Sequence, residues 1–177
     1  MDGVYLLALL TLLLNLFLVV CLVLWGWEKI VKKVIWKSKE ELLRKNSLKL
    51  ILIISGVATL GSLYFSEIRG FTPCKLCWFQ RIFMYPQVVI MLVAVLKKLK
   101  KVFPYTLVLS LIGGLIAIYN YFLQINPNPY APCQDIGFSV SCSERFFTYF
   151  GYITIPWMSF SAFVIIFLIS YLNLKNS

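Results

Sequence analysis

Cys74-Lys75-Leu76-Cys77-Trp78-Phe79-Gln80-Arg81 opens directly onto the apolar run Trp78–Leu96, so a Cys-x-x-Cys pair stands at the mouth of a membrane-length helix. A helix needs about 20 mostly apolar residues to cross roughly 30 Å of hydrocarbon. On such a helix Arg81 falls one turn below Cys77 on the same face. A thiol at a helix N-terminus beside a fixed cation has its thiolate stabilised, and the thiolate is the reactive form. An arginine just inside lipid is costly, which marks it as functional. The stretch therefore predicts redox chemistry at a membrane surface.

Outward from this pair, four more runs have spanning length: Val4–Trp27, Leu48–Ser66, Val102–Leu123 and Gly151–Leu172. None shows the alternation of a membrane barrel strand. The chain is 60% hydrophobic and 14% charged, with a mean hydropathy of +0.84. Together these predict an all-α polytopic membrane protein: a four-helix bundle core with one additional N-terminal transmembrane helix. Residues 1–47 comprise that helix and a basic linker, and residues 48–177 the four-helix body. The first run lacks a basic n-region and a small-residue cleavage site, so it reads as a retained helix and not a signal peptide.

Charge orients the spans. Lys29, Lys32, Lys33, Lys37, Lys39, Arg44 and Lys45 lie between the first two runs, and Lys97, Lys98, Lys100 and Lys101 between the third and fourth. The other two loops hold only Arg69 with Lys75, and Arg145. The positive-inside rule then places the N-terminus and both cysteine loops outside the plasma membrane and the C-terminus in the cytoplasm. Glu28–Asn46 has apolar residues near helical spacing, which predicts a helix on the cytoplasmic membrane surface in contact with anionic lipid. Within it, Ser38-Lys39-Glu40-Glu41 reads as a capping box starting a helix that runs toward the second span. No other feature supports nucleic-acid binding.

Histidine is absent, which excludes Ser–His and Cys–His catalysis and removes the commonest metal ligand. Of five cysteines, Cys74, Cys77, Cys133 and Cys142 lie in two pairs at the edge of or outside the spans, while Cys21 is a small apolar filler within one. The extracytoplasmic side is where disulfides persist. The proline-rich approach Asn126-Pro127-Asn128-Pro129-Tyr130-Ala131-Pro132 predicts a stiff, extended lead into Cys133, and Gly137 permits a turn before Cys142. Ala58 with Ser62 and Gly113 with Ala117 give the small-residue spacing of close helix packing. Pro86 and Pro156 are expected to interrupt their helices.

The four cysteines allow two classes of reading. In one, electrons pass by thiol exchange from Cys133/Cys142 to Cys74/Cys77 and on to a lipid-soluble two-electron acceptor, for which a quinone fits, with Arg81 as the stabilising cation. Aromatic surface comes from Trp78, Phe79 and Phe83, and hydrogen-bonding capacity from Gln80. In the other, a non-enzymatic scaffold holds its four sulfurs as structural disulfides or as a tetrahedral zinc site.

The octapeptide, followed by a second loop with two further cysteines, resembles the DsbB/BdbC family of disulfide-bond formation proteins over about Leu48 to Leu172. Relays of this kind, running from DsbA through DsbB to quinone, keep bacterial periplasms oxidising. The resemblance implies a membrane thiol:quinone oxidoreductase, an enzyme that reoxidises an extracytoplasmic thioredoxin-fold, DsbA-like dithiol oxidase and passes two electrons to ubiquinone or menaquinone. It implies that Cys77 contacts the quinone with Cys74 as its partner. Arg81 would orient and polarise the quinone, with Trp78 and Gln80 beside it. Cys133 would take the mixed disulfide, and Cys142 would carry electrons inward. The short Cys133–Cys142 spacing resembles the BdbC-type branch, and the extra first span departs from the common four-helix pattern. A reductase of the vitamin-K-epoxide type shares the helices and quinone chemistry, but the Trp78–Gln80–Arg81 continuation points away from it.

Overall fold

A computed structural model describes residues 3–31, 35–99, 101–126 and 140–175. Cys133 and the proline-rich approach to it lie outside the described residues. Among the described residues are five long helices: α1 (Gly3–Val31), α2 (Ile35–Leu63), α3 (Lys75–Lys97), α4 (Phe103–Ile125) and α5 (Ile155–Lys175). All five contain stretches long and apolar enough to cross a membrane. Among the described residues the only β pairing is an isolated bridge between Tyr149 and Ile153.

Helices α2 to α5 form an up-and-down ring in which each packs on its sequence neighbour and α5 returns to α2. Helix α1 lies outside the ring, against α2 and α5. Its contact face is built from small and branched residues: Val4 and Ala8 are buried, while Leu13, Leu16 and Phe17 are exposed as lipid-facing residues would be. Close approach of α4 and α5 depends on Gly113. A Cβ there would stand 2.3 Å from Cζ of Phe163, a ring with no exposed surface. The small-residue pair Gly113 and Ala117 thus packs as expected.

Three expectations change. Helix α5 begins at Ile155, not Gly151, because Phe150 (φ 52°) and Gly151 (φ 79°) form a left-handed turn closed by the Tyr149–Ile153 bridge. Pro156 therefore falls in the first turn, where a missing N–H costs nothing, and it bends no helix. Helix α3 likewise runs through Pro86, and one residue on, Gln87 folds its side-chain amide back to Phe83 O (2.9 Å). The basic segment is not a separate surface helix: residues 28–31 end α1 and α2 is continuous from Ile35, so Ser38 lies inside a helix.

Candidate active site

The approach to the first cysteine pair is set by backbone geometry. At its C-terminal end α2 widens into a π-helical turn, Tyr64–Ile68, a feature frequent at functional sites. Gly70 at φ 67° then reverses the chain, and Pro73 favours extended backbone before it. Cys74 follows at φ −72°, ψ 169° as the N-cap of α3, and its sulfur accepts from the Cys77 N–H at 3.4 Å. The Cys-x-x-Cys spacing is thus the N-cap-to-N3 spacing of a helix start. It brings the two sulfurs, both free thiols, to 2.9 Å.

Asn120 of α4 completes the site. Fully buried, it donates Nδ2 to Cys77 Sγ at 3.5 Å and more weakly to Cys74 Sγ at 3.8 Å. The Cys74 thiol is held down from 9.0 to about 7, chiefly by the hydrogen bond from Cys77. Burial opposes this, and the backbone N–H groups and the Asn120 amide assist it. Half of Cys74 is therefore thiolate near neutral pH.

Arg81 does not reach the sulfurs. Its Nε donates to Ser62 Oγ (2.9 Å) and its Nη2 to Ser62 O (3.1 Å), while Tyr85 donates to the same hydroxyl (3.3 Å). The guanidinium also lies 5.1 Å from the Trp78 ring centroid, within cation–π range. Of the two influences expected to stabilise the thiolate, the helix start is present, and Asn120 stands where the Arg81 cation was expected. Ser62, expected to serve helix packing alone, is the anchor that fixes the arginine.

A cavity of ≈ 350 Å³ opens beside this constellation, with Cys77, Gln80 and Arg81 in its wall and Ser62 and Tyr85 next to them. This volume is within the range of small-molecule sites. Gln80 is 5% exposed, and its Nε2 has no hydrogen-bond partner among the described residues. Trp78 lies outside the cavity wall, half exposed on the outer surface of α3.

On the opposite side of the pair, Cys74 packs with Leu123 and Cys142, and Cys77, Leu76 and Val140 adjoin them. Cys142 is disulfide-bonded and almost fully buried. Its loop is pinned to α4: Gln124 donates to Glu144 O at 2.9 Å, and Arg145 donates both Nε and Nη2 to Gln124 O. Phe71 stacks on Phe146 at 4.7 Å and Phe65 meets Phe147 at 5.7 Å, so aromatic contacts tie the two cysteine loops together. The structure therefore gathers Cys74, Cys77, Gln80, Arg81 and Cys142 at one end of the bundle. Asn120, Ser62 and Gln124 are the residues the sequence reading missed. The available signal was an amide in each of two positions of an otherwise apolar span, which is expensive unless used.

This arrangement can exchange one disulfide for another across the Cys142–Cys74 contact and discharge electrons toward the cavity at Cys77. Comparison with known proteins agrees with a thiol-exchange centre. The family model for disulfide bond formation protein DsbB matches residues 44–173. The chain is 46% identical over 119 residues to the probable disulfide formation protein C of Halalkalibacterium halodurans, covering 67% of this chain and 86% of that relative. It is 43% identical over 116 residues to the disulfide bond formation protein C of Bacillus subtilis, covering 64% and 82%. The SPbeta prophage-derived disulfide bond formation protein B of the same organism is 43% identical over 124 residues, covering 70% and 82%. No solved structure matches the chain. A five-helix membrane architecture, a Cys-x-x-Cys helix start facing a second cysteine loop, and these relatives together place the chain in the DsbB family of disulfide bond formation proteins.

Proposed function

We propose that the protein is a membrane thiol–quinone oxidoreductase that reoxidises an extracytoplasmic, thioredoxin-fold dithiol oxidase. The observation that carries this reading is the division of the inner pair: Cys74 packs against Cys142, while Cys77 lines an apolar cavity. The lysine distribution supports an orientation with the N-terminus and both cysteine loops outside and the C-terminus in the cytoplasm.

Each exchange step conserves electrons. A reduced partner thiolate attacks Cys133 of a Cys133–Cys142 disulfide, forming a mixed disulfide and releasing Cys142. The partner's second thiol then resolves it, leaving an oxidised partner and two reduced loop cysteines. The Cys142 thiolate attacks Cys74 of the oxidised inner pair; the Cys74–Cys77 bond breaks and Cys77 leaves as a thiolate. Asn120 donates to that leaving sulfur. Cys133 then attacks Cys142, restoring the loop disulfide and freeing Cys74. The inner dithiol now holds both electrons.

The cavity fits a quinone: it is largely apolar, it reaches Cys77, and Gln80 Nε2 is a buried donor without an acceptor among the described residues. A quinone bound there supplies the terminal acceptor for two electrons and two protons. Gln80 would hold a carbonyl oxygen, and Arg81, fixed by Ser62, supplies positive charge where negative charge develops. Trp78 holds the guanidinium from the other side.

The scaffold reading fares less well. A four-thiolate zinc site needs Cys142 as a thiolate, and Cys142 is disulfide-bonded. Purely structural disulfides do not account for an arginine anchored beside a cavity that reaches one of the thiols.

In the test, quinone reduction is followed with a small dithiol and with a thioredoxin-fold partner. Cys77→Ser is expected to abolish both activities. Cys133→Ser is expected to block turnover of the partner while sparing quinone binding. Full activity in Cys77→Ser would overturn the proposal.

A further inference from the structure

The family match begins at residue 44, so α1 stands outside the shared four-helix body, and nothing in the exchange chemistry requires it. Yet α1 is not a detached anchor. Leu7, Leu10, Thr11 and Leu14 form one wall of the cavity that reaches Cys77.

The fit along this wall is close. A Cβ on Gly3 would meet the Tyr64 hydroxyl at 2.7 Å, and one on Gly61 would meet Leu7 at 3.4 Å. Tyr5 makes an edge contact with Tyr149 at 5.8 Å and lies 6.2 Å from Phe150. Phe150 holds a left-handed conformation, which an aromatic residue rarely adopts. The head of α1 is thus packed against the π-turn of α2 and against the second cysteine loop.

The cavity is polarised along its length. Its outer end presents Cys77, Gln80, Arg81 and Ser62, and it extends along α2 as far as Ile53. Ile53 and Ser62 are nine residues apart, about 13 Å along a helix. The far stretch is walled by α1 leucines and by Ile53, Ile54 and Val57, with no charged residue. A lone ring at the outer end would leave this stretch unfilled. An amphiphile with a polar redox head and a branched apolar tail matches both ends.

We infer that α1 is the tail-binding wall of the acceptor site, so that it selects a prenylated quinone over a tail-less one. The inference rests on the quinone reading above and adds to it the part of the molecule that grips the tail. Thr11 and the leucines at positions 7, 10 and 14 are positioning residues that touch the tail and take no part in electron transfer.

Full-length protein in detergent tests this by equilibrium binding of two probes, a tail-less benzoquinone and the same ring with an isoprenoid tail. Two variants act oppositely on the wall: Thr11→Phe fills the cavity, and Leu10→Ala with Leu14→Ala widens it. Leu13→Phe, on the exposed face of α1, is the control. Both wall variants are expected to weaken binding of the prenylated probe about tenfold. Tail-less binding and the number of titratable thiols should stay at wild-type values, and the control should change neither. Unchanged prenylated binding in both wall variants, or equal loss for both probes, overturns the role of α1. A wild-type protein that binds neither probe overturns the quinone reading itself, and the inference with it.

Discussion

At the end of the bundle away from the cysteines, the inner end in the proposed orientation, the buried polar side chains answer one another. Ser47 Oγ reaches Asn173 Oδ1 at 3.3 Å, Thr106 and Ser170 share a hydrogen bond of 2.9 Å, and Ser110 donates to Gln87 Oε1 at 3.1 Å. At the outer end, among the described residues, buried atoms of Gln80, Asn120, Gln124, Thr154 and Trp157 lack partners. An unpaired buried polar atom costs about 1–3 kcal/mol, and in lipid no water offsets it. Most of the unpaired buried atoms among the described residues thus gather around two thiols and a cavity. The inner end holds the helices together, and the outer end holds groups ready for something else.

The sharpest break of this contrast is Cys77→Ala. Beyond loss of turnover, it removes the largest contribution holding the Cys74 thiol near 7. Because that value is depressed, thiolate is present above about pH 7, and losing the donor moves the onset up toward 9 or beyond. At pH 7 the thiolate fraction should fall from about one half to about one hundredth, cutting the alkylation rate roughly 50-fold. A pH series of iodoacetamide labelling in reduced protein reads this directly.

Arg81→Lys should come next. Lysine cannot donate to Ser62 Oγ and Ser62 O from a rigid fork, so kcat/KM for quinone should drop about tenfold, or ~1.4 kcal/mol. The thiol count should not change. Gly113→Ala acts on the packed region instead. Its methyl group would overlap the Phe163 ring, which should destabilise the protein by about 1–3 kcal/mol. Thermal unfolding in detergent should show a lowered midpoint with unaltered Cys74 labelling. The smallest effect belongs to Ser110→Ala at the inner end. Loss of its bond to Gln87 should cost about 0.5–1.5 kcal/mol and leave the redox chemistry untouched. A redox defect in Ser110→Ala would dissolve the distinction between the two ends.

Much of this architecture was legible because hydrocarbon thickness imposes itself on sequence. Five apolar runs became five helices, and the Cys-x-x-Cys spacing announced a helix start. The boundaries slipped where a single backbone angle decided them, as at Gly151, whose positive φ delays α5 to Ile155. The basic segment misled because its apolar spacing is the same for a surface helix and for the extension of a spanning one. Within the site, local neighbours were read well and distant ones were not. Arg81 was placed near Cys77 from helical spacing, but its direction is set by Ser62, 19 residues earlier. Asn120 bonds to sulfurs 43 and 46 residues away, a pairing that only the packing of α3 on α4 creates. The wall formed by α1 was equally hidden, since an apolar helix reads the same whether it faces lipid or a ligand.

The outer-end thiols are proposed to deliver electrons in pairs to a quinone in the adjoining cavity. The most direct measurement is a thiol titration of fully reduced, purified protein in detergent, before and after anaerobic addition of quinone, with quinol followed by absorbance. Thiols are expected to disappear two at a time with one quinol formed per pair, and Cys77→Ser is expected to form none. Thiols that persist in the presence of quinone, and become alkylatable only after a chelator is added, would contradict it.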